Sequence, residues 1–169
     1  MPFAVNIFDR VPDMGALEAL LKEYYASVQP MLHALGGPTL DIDALVGAFT
    51  EKVDDYQSGN GCIVLAHSDR GALVGCATLL KIRPDAAEMK RLYVRPEAQG
   101  NGIGYRLFQT RVEYARDIGI KTLYADTGRG NRPMLNIYEK NGFRYIDRYP
   151  ENANPIEMAP FLVFLERHL

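Results

Sequence analysis

Three glycines at alternate positions, Gly100, Gly102 and Gly104, stand where an apolar helical period begins, just after a strand-like run ending Leu92-Tyr93-Val94. Glycine carries no Cβ, so several backbone N–H groups can lie bare around the first turn of the helix that follows. A helix start offers about half a positive charge together with unpaired donors, which suits a phosphate or pyrophosphate without a lysine. The chemistry to look for is therefore the handling of a phosphate-bearing ligand by residues 92–107.

Two phosphate-binding patterns fail on residues. A P-loop needs Lys and Ser or Thr after its last glycine, whereas Gly104 is followed by Tyr105-Arg106. A dinucleotide fingerprint, Gly-x-Gly-x-x-Gly, meets Tyr105 in third place when started at Gly100 and Leu107 when started at Gly102. Gln-x-x-Gly-x-Gly does fit, through Gln99, Gly102 and Gly104. Downstream, Asn131 stands seven residues before Tyr138, which is followed by Glu139-Lys140-Asn141-Gly142-Phe143. In these two stretches, in this order, the sequence resembles the GNAT superfamily of acyl-CoA-dependent N-acyltransferases. The resemblance covers residues 87–149. A helix entry that needs glycines only to turn tightly is the plainer alternative, but a turn does not call for three alternating glycines and a downstream Tyr and Gly-Phe.

The resemblance implies an N-acetyltransferase that moves an acetyl group from acetyl-CoA to a primary amine by direct attack in a ternary complex. Leu92, Tyr93 and Val94 would hydrogen-bond the pantetheine arm like an added strand. Gln99 and the amides of Gly100, Asn101, Gly102, Ile103, Gly104 and Tyr105 would hold the pyrophosphate. Tyr138 would face the CoA sulfur as general acid, since a phenol of pKa about 10 is protonated at neutral pH. Helical spacing by itself, Met134 to Tyr138, reads as core packing. Asn131 is a helix N-cap worth about 1 kcal/mol, and by resemblance it also touches the cofactor arm. For the base there are two carboxylates, Glu88 and Asp126, either of which can reach a cleft at the carboxyl ends of two parallel strands, directly or through water. Glu88 is preferred; a bulge, frequent in the family at this strand, would reverse the parity count that separates them. Both carboxylates also read as ordinary solvated or salt-bridged acids. Lys90, Arg91, Arg95 and Arg106 suit the phosphates of CoA or, equally, an ordinary charged surface.

The elements that must position these residues follow from period and caps. Residues 3–8, 62–66, 72–82, 87–94, 122–126, 143–149 and 161–166 read as strands. Helices read from Asp13 toward Pro30, which is placed to kink or end it, from Asp41 or Asp43, from Ile103 and from Asn131. The first strands make an antiparallel meander. The strand, helix, strand order around residues 87–126 is a crossover that makes its two strands parallel. The expected fold is α/β (α+β), a mixed, mostly antiparallel sheet of about seven strands with about four helices, its central parallel pair splayed for acetyl-CoA as the resemblance implies. With 169 residues and 47% hydrophobic content, residues 1–169 form a single domain in this reading.

Composition excludes some partners. A net charge of -2 supplies no overall basic field for nucleic acid. Cys62 and Cys76, the two cysteines, lie on neighbouring strands and read as buried reduced thiols; no Cys or His spacing suits a metal. Residues 1–10 lack a basic region followed by a long apolar run, and no stretch approaches a membrane span, so the expectation is a cytoplasmic protein. His33, His67 and His168 follow no catalytic spacing. The acceptor would be chosen by the two N-terminal helices and by residues 150–160, where Glu51, Asp54, Asp55, Glu151 and Glu157 suggest a negative rim for a cationic amine. That means a small-molecule amine first and a protein lysine second, with a homodimer left open. Two other function classes stay open: an acyl-CoA-binding sensor, which keeps the same loop and differs only in having no turnover, and a nucleotide-binding regulatory domain, which would bind ATP or NAD and no CoA.

Overall fold

Backbone hydrogen bonds join the seven strands of the described residues into one sheet of order β1-β2-β3-β4-β5-β7-β6, whose central strands are apolar on both faces. The computed structural model describes residues 2–169; Met1, the first residue of the segment read for a leader, lies outside the described residues. The strands are β1 (Phe3–Ile7), β2 (Gly61–Ser68), β3 (Leu73–Arg83), β4 (Ala86–Val94), β5 (Thr122–Gly128), β6 (Arg144–Ile146) and β7 (Leu162–His168). Among the described residues only β4 and β5 pair in parallel, because the chain between them crosses over through a helix. Four α-helices, α1 (Met14–Ala34), α2 (Ile42–Glu51), α3 (Ile103–Asp117) and α4 (Arg132–Lys140), complete the layers.

Caps start three of the helices where the sequence places them. Asp13 accepts from the Ala16 amide and Asp41 from the Ala44 amide, so Asp41 rather than Asp43 opens α2. Asn131 accepts from the Met134 amide to open α4. Pro30 does not end α1, which runs on to Ala34; beyond it the Leu35 and Gly36 amides still find the Leu32 and His33 carbonyls.

The two faces of the sheet are covered differently. On one, Ile103, Leu107, Phe108 and Val112 of α3 and Leu135 and Tyr138 of α4 pack on Cys62, Ala77, Met89, Leu123 and Ala125. On the other, Leu17, Leu20 and Leu21 of α1 with Val46 and Phe49 of α2 cover Ile63, Leu65 and Cys76. A separate cluster of Tyr149, Leu162 and Phe164, beneath Met158 and Ala159, covers the β7 end of that second face. Cys62 and Cys76 thus sit in different clusters as free buried thiols, and burial pushes both up to about 12. The strand expected over residues 143–149 shrinks to the three residues of β6, because the chain must turn after Ile146 to bring Tyr149 inward. Among the described residues, no helix is long and apolar enough to cross a membrane.

Candidate functional site

The parallel pairing of β4 with β5 runs from Ala86 opposite Thr122 to Met89 opposite Ala125 and stops there. β4 continues to Val94 and β5 to Gly128 without pairing to each other, so the main chain of residues 90–94 faces a gap. β4 is also bulged at this point: Thr78 pairs with Lys90 but Cys76 with Tyr93, which leaves Arg91 and Leu92 together opposite Ala77. Arg91 takes φ 53°, the one positive φ at a non-glycine position among the described residues. The bulge reverses parity. Ala87 and Met89 face α3, and so, past the bulge, do Leu92 and Val94, whereas Tyr93 joins the α1 side.

A bulge takes carbonyls out of the ladder, and here side chains replace the lost donors. Thr78 Oγ1 donates to the Lys90 carbonyl at 3.2 Å, Arg111 Nη1 donates to the same oxygen at 3.3 Å, and Cys76 Sγ donates to the Arg91 carbonyl at 3.5 Å.

After β4 the chain makes a short 3-10 turn, Pro96–Ala98, and enters the glycine loop. Gly100 and Gly102 adopt φ of 76° and 79°, the left-handed region that side chains resist, and Gly102 stands directly before α3 with no side-chain cap. The first-turn amides are therefore left to a ligand. Gln99 Nε2 donates back to the Val94 carbonyl at 2.9 Å, and Asn101 Nδ2 to the Ala98 and Gln99 carbonyls at 3.1 and 3.0 Å, so both side chains shape the loop itself. Gly104 differs, since a Cβ there would meet only Val94 and Leu92 at 3.8 and 3.9 Å; its contribution is room over the helix start.

Across the sheet from α3, five polar side chains interlock. Tyr149 donates to Glu88 Oε2 at 2.6 Å, and Asn152 Nδ2 reaches Asp126 Oδ2 at 2.7 Å and Glu88 Oε2 at 3.3 Å. Lys90 Nζ lies 2.9 Å from Asp126 and 3.7 Å from Glu88. Two carboxylates thus share one ammonium, with Glu88 only 4% exposed. Burial first, then the charges of Asp126 and Glu88, hold the Tyr149 hydroxyl far above the ordinary phenol range, so it remains a donor.

Tyr138, 3% exposed, packs edge to face on Phe108 and tilts on Phe143 at 4.9 Å. Burial pushes its pKa up to about 12; Arg111 opposes the rise, and Asp126 and Glu88 add to it. The hydroxyl makes no hydrogen bond among the described residues.

A family model described as the Acetyltransferase (GNAT) family matches residues 31–143, the stretch that holds the gap, the glycine loop and Tyr138. The chain belongs to the GNAT family. An uncharacterized N-acetyltransferase of Schizosaccharomyces pombe is 31% identical over 101 residues, 59% of this chain and 62% of that one, so the match spans less than two thirds of that relative. An L-methionine sulfoximine/L-methionine sulfone acetyltransferase of Pseudomonas aeruginosa is 26% identical over 120 residues, 68% of this chain and 70% of that one. The structure of PaiA N-acetyltransferase from Thermoplasma acidophilum in complex with coenzyme A superposes with a TM-score of 0.76 at 20% identity over the whole of both chains, a likeness of fold.

Within this GNAT fold the expected residues divide into groups. Leu92, Tyr93 and Val94 line the gap, and the loop from Gly100 to Tyr105 leads directly from its end into α3. Ile103 points into the core, and Tyr105, 53% exposed, receives a hydrogen bond from Gln109. Glu88 and Asp126 fall in one cluster rather than competing from separate places. Asn131 caps α4 and donates from Nδ2 to Thr127 Oγ1 at 2.9 Å. Of the four cations that suit CoA phosphates or an ordinary charged surface equally, three are engaged within the fold: Lys90 with Asp126, Arg91 with the Tyr25 and Tyr56 hydroxyls, and Arg95 in a two-pronged pair with Glu23. Arg106 is exposed, 3.8 Å from Glu113. Glu151 pairs with Arg83 at 2.7 Å, which removes one acid from the supposed negative rim.

Three residues were missed by sequence reasoning. Tyr149 and Asn152 come from a loop whose spacing gives no sign of its target. Arg111 did carry a signal: it occupies a position of the α3 stripe Leu107, Phe108, Val112 and Ala115, where helical period calls for an apolar side chain.

Proposed function

We propose that the protein transfers an acetyl group from acetyl-CoA to a primary amine by direct attack in a ternary complex, using residues 1–169 as one acetyltransferase domain. The observation that carries this reading is the parting of β4 and β5 after Met89 and Ala125, beside a helix start with two left-handed glycines before it. That arrangement suits a ligand with an extended amide-bearing arm and a pyrophosphate at its end. The backbone of Leu92, Tyr93 and Val94 takes the arm, and the amides from Gly100 to Tyr105 take the pyrophosphate.

The transfer asks for a neutral amine and a protonated leaving thiol. In this reading the amine nitrogen attacks the thioester carbonyl carbon, the C–S bond breaks with its electron pair on sulfur, and the Tyr138 hydroxyl gives sulfur its proton. A hydroxyl with pKa about 12 and no internal hydrogen bond to break supports that assignment. The proton shed by the amine passes, directly or through water, to the Glu88 and Asp126 cluster; Glu88 is the first choice. The cluster's excess of carboxylate over ammonium favours a cationic amine at its approach.

The acceptor is a small-molecule amine. Contacts from Tyr149, Asn152 and Ala153 onto Glu88 and the amino-acid acceptor in the name of the Pseudomonas relative support this. A cytoplasmic setting belongs to the same proposal. The test is release of free CoA thiol from acetyl-CoA against a panel of amines, including amino acids, amino sugars, polyamines and a lysine peptide. Turnover with at least one small amine, lowered in Tyr138→Phe, is the expected result; CoA binding without thiol release from any amine would instead identify a non-catalytic acyl-CoA sensor.

A further inference from the structure

Arg111 is the largest fully buried side chain of the molecule's described part, at 0% exposure. Its Nη1 donates to the Thr78 carbonyl at 3.1 Å and the Lys90 carbonyl at 3.3 Å, while Nε and Nη2 are buried without any partner. Buried guanidinium groups are ordinarily neutralised by a carboxylate, and Arg111 forms no ion pair among the described residues. Arginine does not shed its proton in proteins, so this core carries a full positive charge with donors to spare. Such a group is expensive to keep, and an apolar residue at this point of the α3 stripe would pack without that cost.

Its surroundings explain what the charge is near. The two carbonyls it holds belong to a cross-strand pair immediately before the bulge, Thr78 of β3 and Lys90 of β4, and Lys90 is the first residue of β4 beyond its pairing with β5. Phe108, one turn earlier on the same face of α3, has its ring 6.2 Å from that of Tyr138. The charges felt at Arg111 come from Tyr138 of α4 and Cys62 of β2 on its own face of the sheet and from Cys76 of β3 and Tyr24 of α1 on the other; those felt at Tyr138 come from Arg111 and, through the sheet, from Asp126 and Glu88. Around Tyr138 the carboxylates oppose formation of negative charge on its oxygen, and Arg111 is the group that favours it.

We propose that Arg111 is a positioning residue of the transfer reaction: fixed by the Thr78 and Lys90 carbonyls, it keeps an unneutralised positive charge on the face of the sheet where Phe108, one turn away on α3, packs on Tyr138. The inference rests on the reading of Tyr138 as general acid. When the C–S bond breaks, sulfur takes the Tyr138 proton and the phenol oxygen is left with the electron pair, until a proton from solvent restores it. Negative charge therefore passes through the sulfur and the phenol oxygen in turn, and the spare N–H groups of Arg111 lie in the same water-poor interior, where their field is least screened.

The experiment compares full-length Arg111→Met and Arg111→Lys with the native protein, alone and with Tyr138→Phe, using the best amine from the panel. Arg111→Met keeps length and removes charge; kcat is expected to fall about 10- to 100-fold with the acetyl-CoA KM within about threefold. In the Tyr138→Phe background the same change should cost less than about threefold, since the partner is gone. Arg111→Lys is the sharper variant. A buried lysine loses its proton on the alkaline side, as arginine does not, so kcat should acquire a new alkaline limb between about pH 6 and 10 that the native profile lacks.

A merely structural role moves neither the limb nor the coupling to Tyr138. Native kcat in Arg111→Met, an equal loss with and without the Tyr138 hydroxyl, or an Arg111→Lys profile parallel to the native one overturns the proposal. If Arg111→Met does not fold, the lysine profile decides alone. Unchanged turnover in Tyr138→Phe itself would instead remove the acid assignment on which the inference stands.

Discussion

The two sides of the β4–β5 gap are built by different means. On the donor side the offered groups are main chain: residues 90–94 beyond the end of the parallel pairing, and the amides after Gly102. Between them the side chains of Gln99 and Asn101 hold the loop itself, Gln99 on the Val94 carbonyl and Asn101 on the Ala98 and Gln99 carbonyls. On the acceptor side the groups are side chains drawn from β4, β5 and residues 149–152, and they satisfy one another. A backbone grip tolerates side-chain change but no change of φ. A side-chain cluster tolerates backbone adjustment but no loss of a partner.

That contrast can be broken most forcefully at Tyr138, the proposed general acid. Tyr138→Phe removes one oxygen and no packing, and kcat should fall about 100-fold or more while the acetyl-CoA dissociation constant stays within about threefold. Steady-state kinetics beside calorimetric titration of acetyl-CoA checks it, and equal losses in both would make Tyr138 a binding residue. Next in size is Gly102→Val. At φ 79° a β-branched residue costs about 1–2 kcal/mol or more, so acetyl-CoA binding should weaken about tenfold, whereas Leu92→Ala changes it little. Equal effects at the two positions would mean that the grip is not main-chain.

On the acceptor side, Asn152→Ala leaves Asp126 and Glu88 each short of a donor. A loss of about 1–3 kcal/mol in stability is expected, read by urea unfolding, with a raised acceptor KM and unaltered acetyl-CoA affinity. The smallest effect concerns pH. The folded pKa of Tyr138 is raised to about 12, so its contribution to stability is fully present below the unfolded value of about 10 and is lost as pH climbs from there through about 12. Cys62 and Cys76, also raised to about 12, act in the same direction from a lower starting point. The melting temperature should decline above about pH 9–10, less steeply in Tyr138→Phe; an identical slope would show that the phenol does not ionise on unfolding in this range.

What the sequence disclosed follows the same division. Glycine spacing, the crossover and the caps at Asp13 and Asn131 are set by residues within a few positions of one another, and they are visible in the linear pattern. The bulge at Arg91 was expected only through the family resemblance, since no local residue pattern announces one extra position in a strand. Tyr149 reaches Glu88 across 61 residues of sequence, and nothing near Tyr149 encodes that encounter. For the same reason the sequence leaves Lys90 and Arg95 open between CoA phosphates and a charged surface: their carboxylate partners are 36 and 72 residues away.

The last strand lies inside the sheet. β7 follows β6 in the chain but sits between β5 and β6, and the three residues of β6 pair with nothing except β7. The segment that carries Tyr149 and Asn152 to Glu88 is therefore a closed circuit, with both of its ends fastened through a single strand. Parting β7 from β5 would free that circuit as one piece while β4 and the glycine loop stayed folded. In native-state hydrogen exchange the amides of β6, β7 and residues 149–154 should share one opening free energy, lower than that of β2 to β4, so that this GNAT fold behaves as two cooperative units meeting at the gap.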